Sequence, residues 1–191
     1  MEIKRLVLGL VRTNCYIVYT EDTKKAVIID PAADSHRISE EISALGVTPE
    51  AVLLTHGHFD HMLAAESLKN GYQIPICVAK DDAELLKHPD LNCSEQFLHM
   101  SYAISADEEL EDGQNLRFRR SSYSHYNSRT YRRKLLLLCK KRRYFIFRRY
   151  FVFAKCRAYR FANRQGGTAD NLHPGKIVCT AGTYAGTVRS W

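Results

Sequence analysis

Short apolar runs recur along the first 118 residues with the length and spacing of strands. Runs that are continuously apolar, or that alternate apolar and polar positions, predict five strands: residues 2–9, 14–20, 25–30, 51–55 and 73–79. Helices are predicted at about 60–69, which Asn70-Gly71 would end, and at 80–87, where Asp81 and Asp82 suit the first turn. Residues 89–113 are acidic and irregular.

A further helix is predicted between residues 34 and 46. Asp34 or Ser35 can cap its start, and Gly46 can end it in a left-handed conformation. Strands that alternate with short helices in this way favour an α/β fold, a layered sandwich, over a helical bundle or an all-β barrel.

The pattern stops after residue 118. Residues 119–191 are rich in arginine and show no consistent period of 2 or 3.6. The net charge of +7 hides this division, because residues 1–116 carry a net charge of −11 and residues 117–191 a net charge of +18. The sequence therefore predicts two parts: a folded half-domain at 1–118, and a basic segment at 119–191 without a reliable fold.

The composition is that of a soluble globular protein, with 45% hydrophobic and 26% charged residues. No apolar run approaches the roughly 18 residues of a membrane span. The N-terminus lacks the apolar segment of a signal peptide, and the six cysteines contain no CxxC pair. We therefore expect a cytoplasmic protein with reduced thiols, in which Cys15 is a buried apolar residue.

A cluster of candidate metal ligands follows the apolar run 51–54. His56, His58, Asp60 and His61 fall within six consecutive positions. Imidazole and carboxylate are common protein ligands of zinc and similar divalent ions. A buried strand that ends in such a cluster indicates a metal-binding loop at the carboxyl end of the strand. The alternative, a histidine-rich polar loop without a metal, does not account for this density of ligands.

The segment HGHFDH at 56–61 resembles the His-x-His-x-Asp-His motif of the metallo-β-lactamase-fold hydrolases. Residues 14–18 and 27–31 are similar to the opening strands of the short glyoxalase II-like (hydroxyacylglutathione hydrolase-like) branch. The resemblance covers residues 1–118. It implies an αββα sandwich with a dinuclear metal site between its sheets, and hydrolysis of thioesters, lactams or phosphoesters.

The resemblance also implies roles for single residues. His56 and His58 would bind a first metal, and Asp60 and His61 a second. Two zinc ions are expected, with iron or manganese as alternatives. A small thioester would be cleaved through a metal-bound hydroxide, which Asp60 would orient or whose proton Asp60 would pass to the leaving group. Asp30 lies where the family has an aspartate near the site, but a role in forming a turn fits its position equally well.

Three further metal-binding segments of the family, Pro-Gly-His-Thr, Ser-Gly-Asp-Thr-Leu and Pro-Gly-His-Gly, are absent. Back-translation of residues 127–133, 146–151 and 156–164, read from the second codon base, permits Ile-Pro-Gly-His-Thr-Glu-Gly, Phe-Ser-Gly-Asp-Thr-Leu and Val-Gly-Arg-Thr-Asp-Leu-Pro-Thr-Gly. These are family segments in family order and in one displaced frame. We therefore predict a single-nucleotide frame displacement near codons 118–120.

A displaced frame predicts an impaired chain. His125 and His173 are the only imidazoles after residue 118, while His36, His88 and His99 are expected to face solvent. The remaining ligands would hold one metal weakly, and the apolar face of the first half would be exposed. The predicted partner is a small-molecule substrate, without a specific nucleic acid or a membrane, and the oligomeric state stays open.

Three other hypotheses use the sequence differently. Residues 119–164 interleave aromatic and basic side chains, as a nucleic-acid groove or a membrane-surface segment does. No RRM, KH or zinc-finger spacing supports the first. The fold can also serve a non-hydrolytic task, such as oxygen binding at a di-iron site or sulfur oxidation at a mononuclear iron.

Overall fold

The structure, a computed structural model, describes residues 2–111 and, beyond them, the backbone of four strands. Within this described part of the chain, ten strands form two sheets. The first sheet contains six of them: β1 (Glu2–Leu8), β2 (Thr13–Tyr19), β3 (Lys25–Ile29), β4 (Thr48–Leu54), β5 (Ile76–Ala79) and β6 (Glu108–Leu110). The second contains β7 (Asn115–Phe118), β8 (Ser121–Asn127), β9 (Leu135–Cys139) and β10 (Tyr144–Ile146).

The directions of the strands in the first sheet determine which strand ends lie at the same edge. Its order is β1-β2-β3-β4-β5-β6. Strand β2 pairs antiparallel with both β1 and β3, whereas β3, β4, β5 and β6 run parallel to one another. The ends of β3 and β4 therefore lie at the same edge as the start of β2. This edge brings together Thr13, Asp30 and Thr55.

Four α-helices and one 3₁₀ turn connect the strands: α1 (Ser35–Leu45), the turn Phe59–His61, α2 (Ala65–Tyr72), α3 (Lys80–Lys87) and α4 (Ser94–Leu98). The five predicted strands and the helices α1 and α3 are confirmed, with shifts of a few residues at their ends. The predicted helix 60–69 is wrong at its start, because the ligand loop makes a 3₁₀ turn before α2 begins. Residues 89–113, predicted to be irregular, contain α4 and β6.

Both faces of the first sheet are apolar, so it is buried on both sides. One face packs against the helices through a cluster that includes Ile17, Ile28, Leu54, Val78, Ile38, Leu68 and Leu86. The opposite face carries a second cluster: Tyr16, Val18, Val27, Ile29, Ala51, Leu53, Cys77 and Leu110. No side chain of this second cluster is more than 6% exposed, so the expectation of an exposed apolar face is wrong. Cys15 is fully buried, as predicted.

The later strands form an antiparallel sheet with the order β10-β9-β8-β7. Most of the segment 119–191, and with it the prediction that this segment is frame-displaced and lacks a reliable fold, lies outside the described residues. Within the part of the chain that the structure describes, no helix has both the length and the apolar character needed to cross a membrane.

The start of α1 provides a modest stability prediction. Asp34 adopts a left-handed conformation with φ of 54°, and its Oδ1 accepts a hydrogen bond of 3.1 Å from the backbone N–H of Arg37. The cap is therefore Asp34 rather than Ser35. We expect Asp34→Ala to lower the free energy of unfolding by about 1 kcal/mol, and Asp34→Asn to retain it, in urea titrations followed by circular dichroism. Equal stability of the alanine variant and the parent would contradict the capping role.

Candidate metal centre

The four candidate ligands lie on the loop that follows β4, at the edge of the sheet where β3 also ends. His56 is buried at 4% exposure, and His58 and Asp60 are partly buried. One ligand atom from each of these three residues lies within 4.8 Å of the others. The sequence prediction that His56, His58 and Asp60 share one site is consistent with this geometry.

Gly57 lets the loop pass against helix α3. A Cβ atom at this position would lie 2.6 Å from Leu85 Cβ and 3.0 Å from the carbonyl oxygen of Asp82. No real side chain tolerates these distances without movement of α3 or of the loop. The glycine between the two histidines is therefore required by packing.

His61 lies beside the cluster and contacts two carboxylates. Its Nε2 is 3.3 Å from Asp60 Oδ2, and its Nδ1 is 2.9 Å from Asp30 Oδ2. Two ligands of one tetrahedral zinc, each about 2.0–2.2 Å from the metal, lie roughly 3.3–3.5 Å apart. The two groups form an ion pair at 3.3 Å, and this separation also suits neighbouring ligands on a single metal.

Asp30 organises the histidines from behind. Its Oδ1 accepts the backbone N–H of Thr55 at 2.7 Å, and its Oδ2 accepts the Thr55 hydroxyl at 2.7 Å. Because the single hydroxyl hydrogen of Thr55 points to Asp30, the Thr55 oxygen accepts from His56 Nδ1, 3.0 Å away. This bonding assigns a proton of His56 to Nδ1, the tautomer in which Nε2 can bind a metal. At His61, Asp30 Oδ2 lies at ion-pair distance from Nδ1.

The electrostatics of the site favour positive charge. Burial lowers the pKa of His61, but the charge of Asp30 and the hydrogen bonds to Asp30 and Asp60 outweigh it and raise this pKa to about 9. Burial raises the pKa of Asp60, whereas hydrogen bonding and charge from His61, together with the Thr13 hydroxyl, hold the pKa of this carboxyl well below its usual range. The carboxylates stabilise a cation here, and a divalent metal can take the place of the proton on His61.

The segment that contains α4 supports the loop from outside. The backbone N–H of Phe59 donates to the carbonyl of Asn92 at 3.0 Å, and the ring of Phe59 stacks on Phe97 with centroids 5.7 Å apart. The side-chain amide of the fully buried Asn92 donates to the carbonyl of Tyr102 at 2.8 Å. These contacts hold the backbone on which His58 and Asp60 lie.

The other histidines are away from the cluster wherever their side chains are described. His36 and His88 have side chains 85% and 52% exposed, and His99 is exposed, as predicted. The side chains of His125 and His173, the two downstream imidazoles, lie outside the described residues.

Sequence reasoning left the role of Asp30 open and did not single out Thr13. The structure has both in contact with the candidate ligands, since Thr13 donates to Asp60 Oδ2 at 2.7 Å. Asp30 has both roles, because its backbone has the positive φ of a turn, 50°, and its side chain contacts the candidate ligand His61. The signal that could have found them is the strand order, which brings the end of β3 and the start of β2 to the ligand edge.

The donor set suits zinc. Three imidazoles and one carboxylate are borderline and hard ligands of the kind that zinc takes, and two of the imidazoles have their second nitrogen engaged by Asp30 or Thr55. Ligation by His56, His58, Asp60 and His61 stays a prediction, and the geometry of the donors fits it.

Comparison with curated proteins finds relatives among metal-dependent hydrolases. The probable metallo-hydrolase YqgX of Bacillus subtilis is 29% identical over 113 residues, which cover 59% of this chain and 53% of that protein. The hydroxyacylglutathione hydrolase GloC of Haemophilus influenzae is 36% identical over 76 residues, 40% of this chain and 35% of that protein. The probable polyketide biosynthesis zinc-dependent hydrolase BaeB of Bacillus velezensis is 33% identical over 70 residues, 37% of this chain and 31% of that protein. The matched region thus spans about half or less of the length of each relative.

Among solved structures, the BLEG-1 B3 metallo-beta-lactamase superposes with a TM-score of 0.66 at 28% identity. The match covers 73% of this chain and 68% of that chain. It confirms the predicted α/β fold class. The family model of the metallo-beta-lactamase superfamily matches residues 8–129, well over half of the sequence. Motif, fold and family model agree, and the chain belongs to the metallo-beta-lactamase superfamily.

Proposed function

We propose that this protein is a metal-dependent hydrolase whose substrate is a small thioester of the hydroxyacylglutathione type. The observation that carries the proposal is the ligand cluster: donor atoms of His56, His58 and Asp60 lie within 4.8 Å of one another, and His61 Nε2 lies 3.3 Å from Asp60 Oδ2. His56 and His58 would hold a first zinc, and Asp60 and His61 a second.

The residues of the chain prepare the site for hydrolysis. A bound zinc lowers the pKa of a water ligand to about 7 and so supplies a nucleophile at neutral pH. Asp60, an ionised carboxylate beside the donor atoms of His56 and His58, is placed to orient the attacking water through a hydrogen bond. Thr55 favours the tautomer of His56 that would present Nε2 to a metal, and Asp30 lies against Nδ1 of His61.

The thioester as substrate rests on similarity to named hydrolases. Hydroxyacylglutathione hydrolase GloC shares 36% of 76 aligned residues with this chain. Zinc as the metal is supported by the zinc-dependent hydrolase BaeB and by the imidazole-rich donor set. Iron or manganese in the same positions is the alternative.

The chain as written carries half of this centre. The candidate ligands fall within residues 56–61, and the further metal-binding segments of the family are absent after residue 118. Back-translation in a displaced frame permits two of these three segments, Pro-Gly-His-Thr and Ser-Gly-Asp-Thr-Leu. We therefore expect this chain to bind about one zinc and to hydrolyse thioesters slowly. Sequencing of the coding DNA across codons 110–130 tests the displacement, and an intact frame in independent reads would contradict it.

The function itself is tested by comparing two chains. The chain as written and a frame-restored chain, made by a single-nucleotide change near codons 118–120, are loaded with zinc, iron or manganese. Each is assayed on hydroxyacylglutathione thioesters, a β-lactam and a phosphodiester.

We expect the frame-restored chain to bind two metals and to hydrolyse the thioester fastest. The substitution His58→Ala in that chain is expected to remove the activity.

Other outcomes reject parts of the proposal. Two tightly bound zinc ions in the chain as written would contradict the half-site. A preference for the lactam or phosphodiester would replace the substrate class. Salt-dependent binding of random oligonucleotides by the chain as written, with no hydrolysis by either chain, would favour the alternative of a basic nucleic-acid-binding segment at 119–164.

A further inference from the structure

A threonine on a distant part of the chain contacts the candidate ligand Asp60. The hydroxyl of Thr13 donates to Asp60 Oδ2 at 2.7 Å, across 47 positions of sequence. Oδ2 is also the oxygen that lies 3.3 Å from His61 Nε2. The threonine hydroxyl and the imidazole thus meet at one carboxylate oxygen.

Strand register holds Thr13 in this place. Thr13 is the first residue of β2, where it pairs with Leu8 of β1 at the closed end of the hairpin. The turn before it is closed by a hydrogen bond from the N–H of Arg12 to the carbonyl of Gly9. Because β2 runs antiparallel to β3, its start lies at the edge where β3 and β4 deliver Asp30 and the ligand loop.

We propose that Thr13 is a positioning residue for Asp60, which fixes Oδ2 in the orientation required for binding a metal. A carboxylate rotates about its terminal bond with little resistance, so a single imidazole contact does not set both of its oxygens. The hydroxyl of Thr13, held on a paired strand, donates a second hydrogen bond that restrains the orientation of the Asp60 carboxylate. The inference rests on the metal centre of the proposed function and adds to it a residue outside the ligand motif.

The alternative is that the contact only ties the β1–β2 hairpin to the 3₁₀ turn. The two roles differ in what a hydroxyl deletion changes. A structural tie alters the stability of the fold, whereas a positioning contact alters metal affinity through Asp60. Removal of an outer-shell partner of a ligand commonly lowers metal affinity about 10- to 100-fold.

The test is zinc binding by the full chain, measured by competition with a chromophoric chelator, together with the visible absorption of the Co²⁺-loaded protein. Thr13→Val keeps the β-branched shape and removes the donor, and Thr13→Ser keeps the donor. We expect the valine variant to bind zinc about 10-fold more weakly with an altered Co²⁺ spectrum, and the serine variant to match the parent. Thr20→Val, which removes a hydroxyl contact to Thr23 at the far end of β2, is the matched control and is expected to leave zinc affinity unchanged.

A double-mutant cycle with Asp60→Ala tests whether the effect of Thr13 on zinc affinity passes through Asp60. Urea titration of Thr13→Val separates the two roles, because a purely structural tie would lower stability and leave zinc affinity unchanged. We expect Thr13→Val to add no further loss of zinc affinity once Asp60 is removed. An equal loss in both backgrounds, or a serine variant as weak as the valine variant, overturns the proposal. Parent chain that binds no zinc contradicts the metal centre itself, while parent chain that binds zinc as tightly as the valine variant contradicts only the role of Thr13.

Discussion

Asp30→Asn is expected to lower zinc affinity about 10- to 100-fold and the free energy of unfolding by about 1–3 kcal/mol. Asp30 is 3% exposed, and its carboxylate accepts two hydrogen bonds from Thr55 and contacts His61 Nδ1. The asparagine amide has only one acceptor oxygen. One of the donors that the carboxylate of Asp30 accepts would therefore lose its acceptor and would face the N–H₂ group of the amide instead. Chelator competition and urea titration measure the two effects.

The matched control for this change is Asp34→Asn. Asp34 also has a positive φ, 54° against 50° for Asp30, so both substitutions place asparagine in a backbone conformation that it adopts readily. Asp34 is exposed and caps α1, a role in which asparagine is as good as aspartate. Unchanged zinc affinity is expected for the control. Zinc binding by Asp30→Asn at the parent's affinity would show that Asp30 only forms the turn after β3.

Gly57→Ala is expected to destabilise the fold by about 1–3 kcal/mol through overpacking, and to weaken zinc binding as well. The added methyl group would meet Leu85 Cβ at 2.6 Å, and both atoms are close to their backbones, so neither can turn away. Relief requires a shift of α3 or of the loop, and the loop carries His56 and His58 on either side. Thermal unfolding and zinc titration of the same sample measure both consequences.

Gly71→Ala tests whether the effect belongs to the close approach. Gly71 lies in α2, and an added Cβ has no neighbour within 4 Å. Alanine in a helix is favoured over glycine by about 0.5–1 kcal/mol, so this variant is expected to gain stability and keep its zinc affinity. If Gly57→Ala unfolds at the parent's temperature, the packing argument for the glycine is wrong.

The ligand loop and the strands that hold it could be predicted from the sequence because their signals are local. An apolar run followed by four ligands within six positions identifies both the strand and the site. Helix α1 could be predicted in the same way, because its capping residue and its terminal glycine lie next to it in the sequence. The 3₁₀ turn at Phe59–His61 was missed because the ligand motif has the polar and apolar spacing of a helical start.

The supporting residues could not be predicted because their roles depend on strand order. Thr13 reads as one polar position of a strand, and nothing near it in sequence indicates Asp60. Asp30 precedes a proline and has ordinary turn chemistry, so its contacts to Thr55 and His61 become visible only when β3 and β4 are placed side by side. The requirement for glycine at position 57 likewise comes from α3, which begins 23 residues later.

The contacts that shape the ligand loop have a consequence for the order of events during translation. Thr13, Asp30, the ligand loop and α3 all precede residue 88, whereas the second sheet begins at Asn115. N-terminal segments leave the ribosome first and fold as units when their partners are present. A nascent chain that has emerged through Tyr102 already contains His56, His58, Asp60 and His61 with their supporting contacts, including those of Asn92. Zinc capture is therefore expected to begin on the ribosome, before the remaining half of the domain has been synthesised.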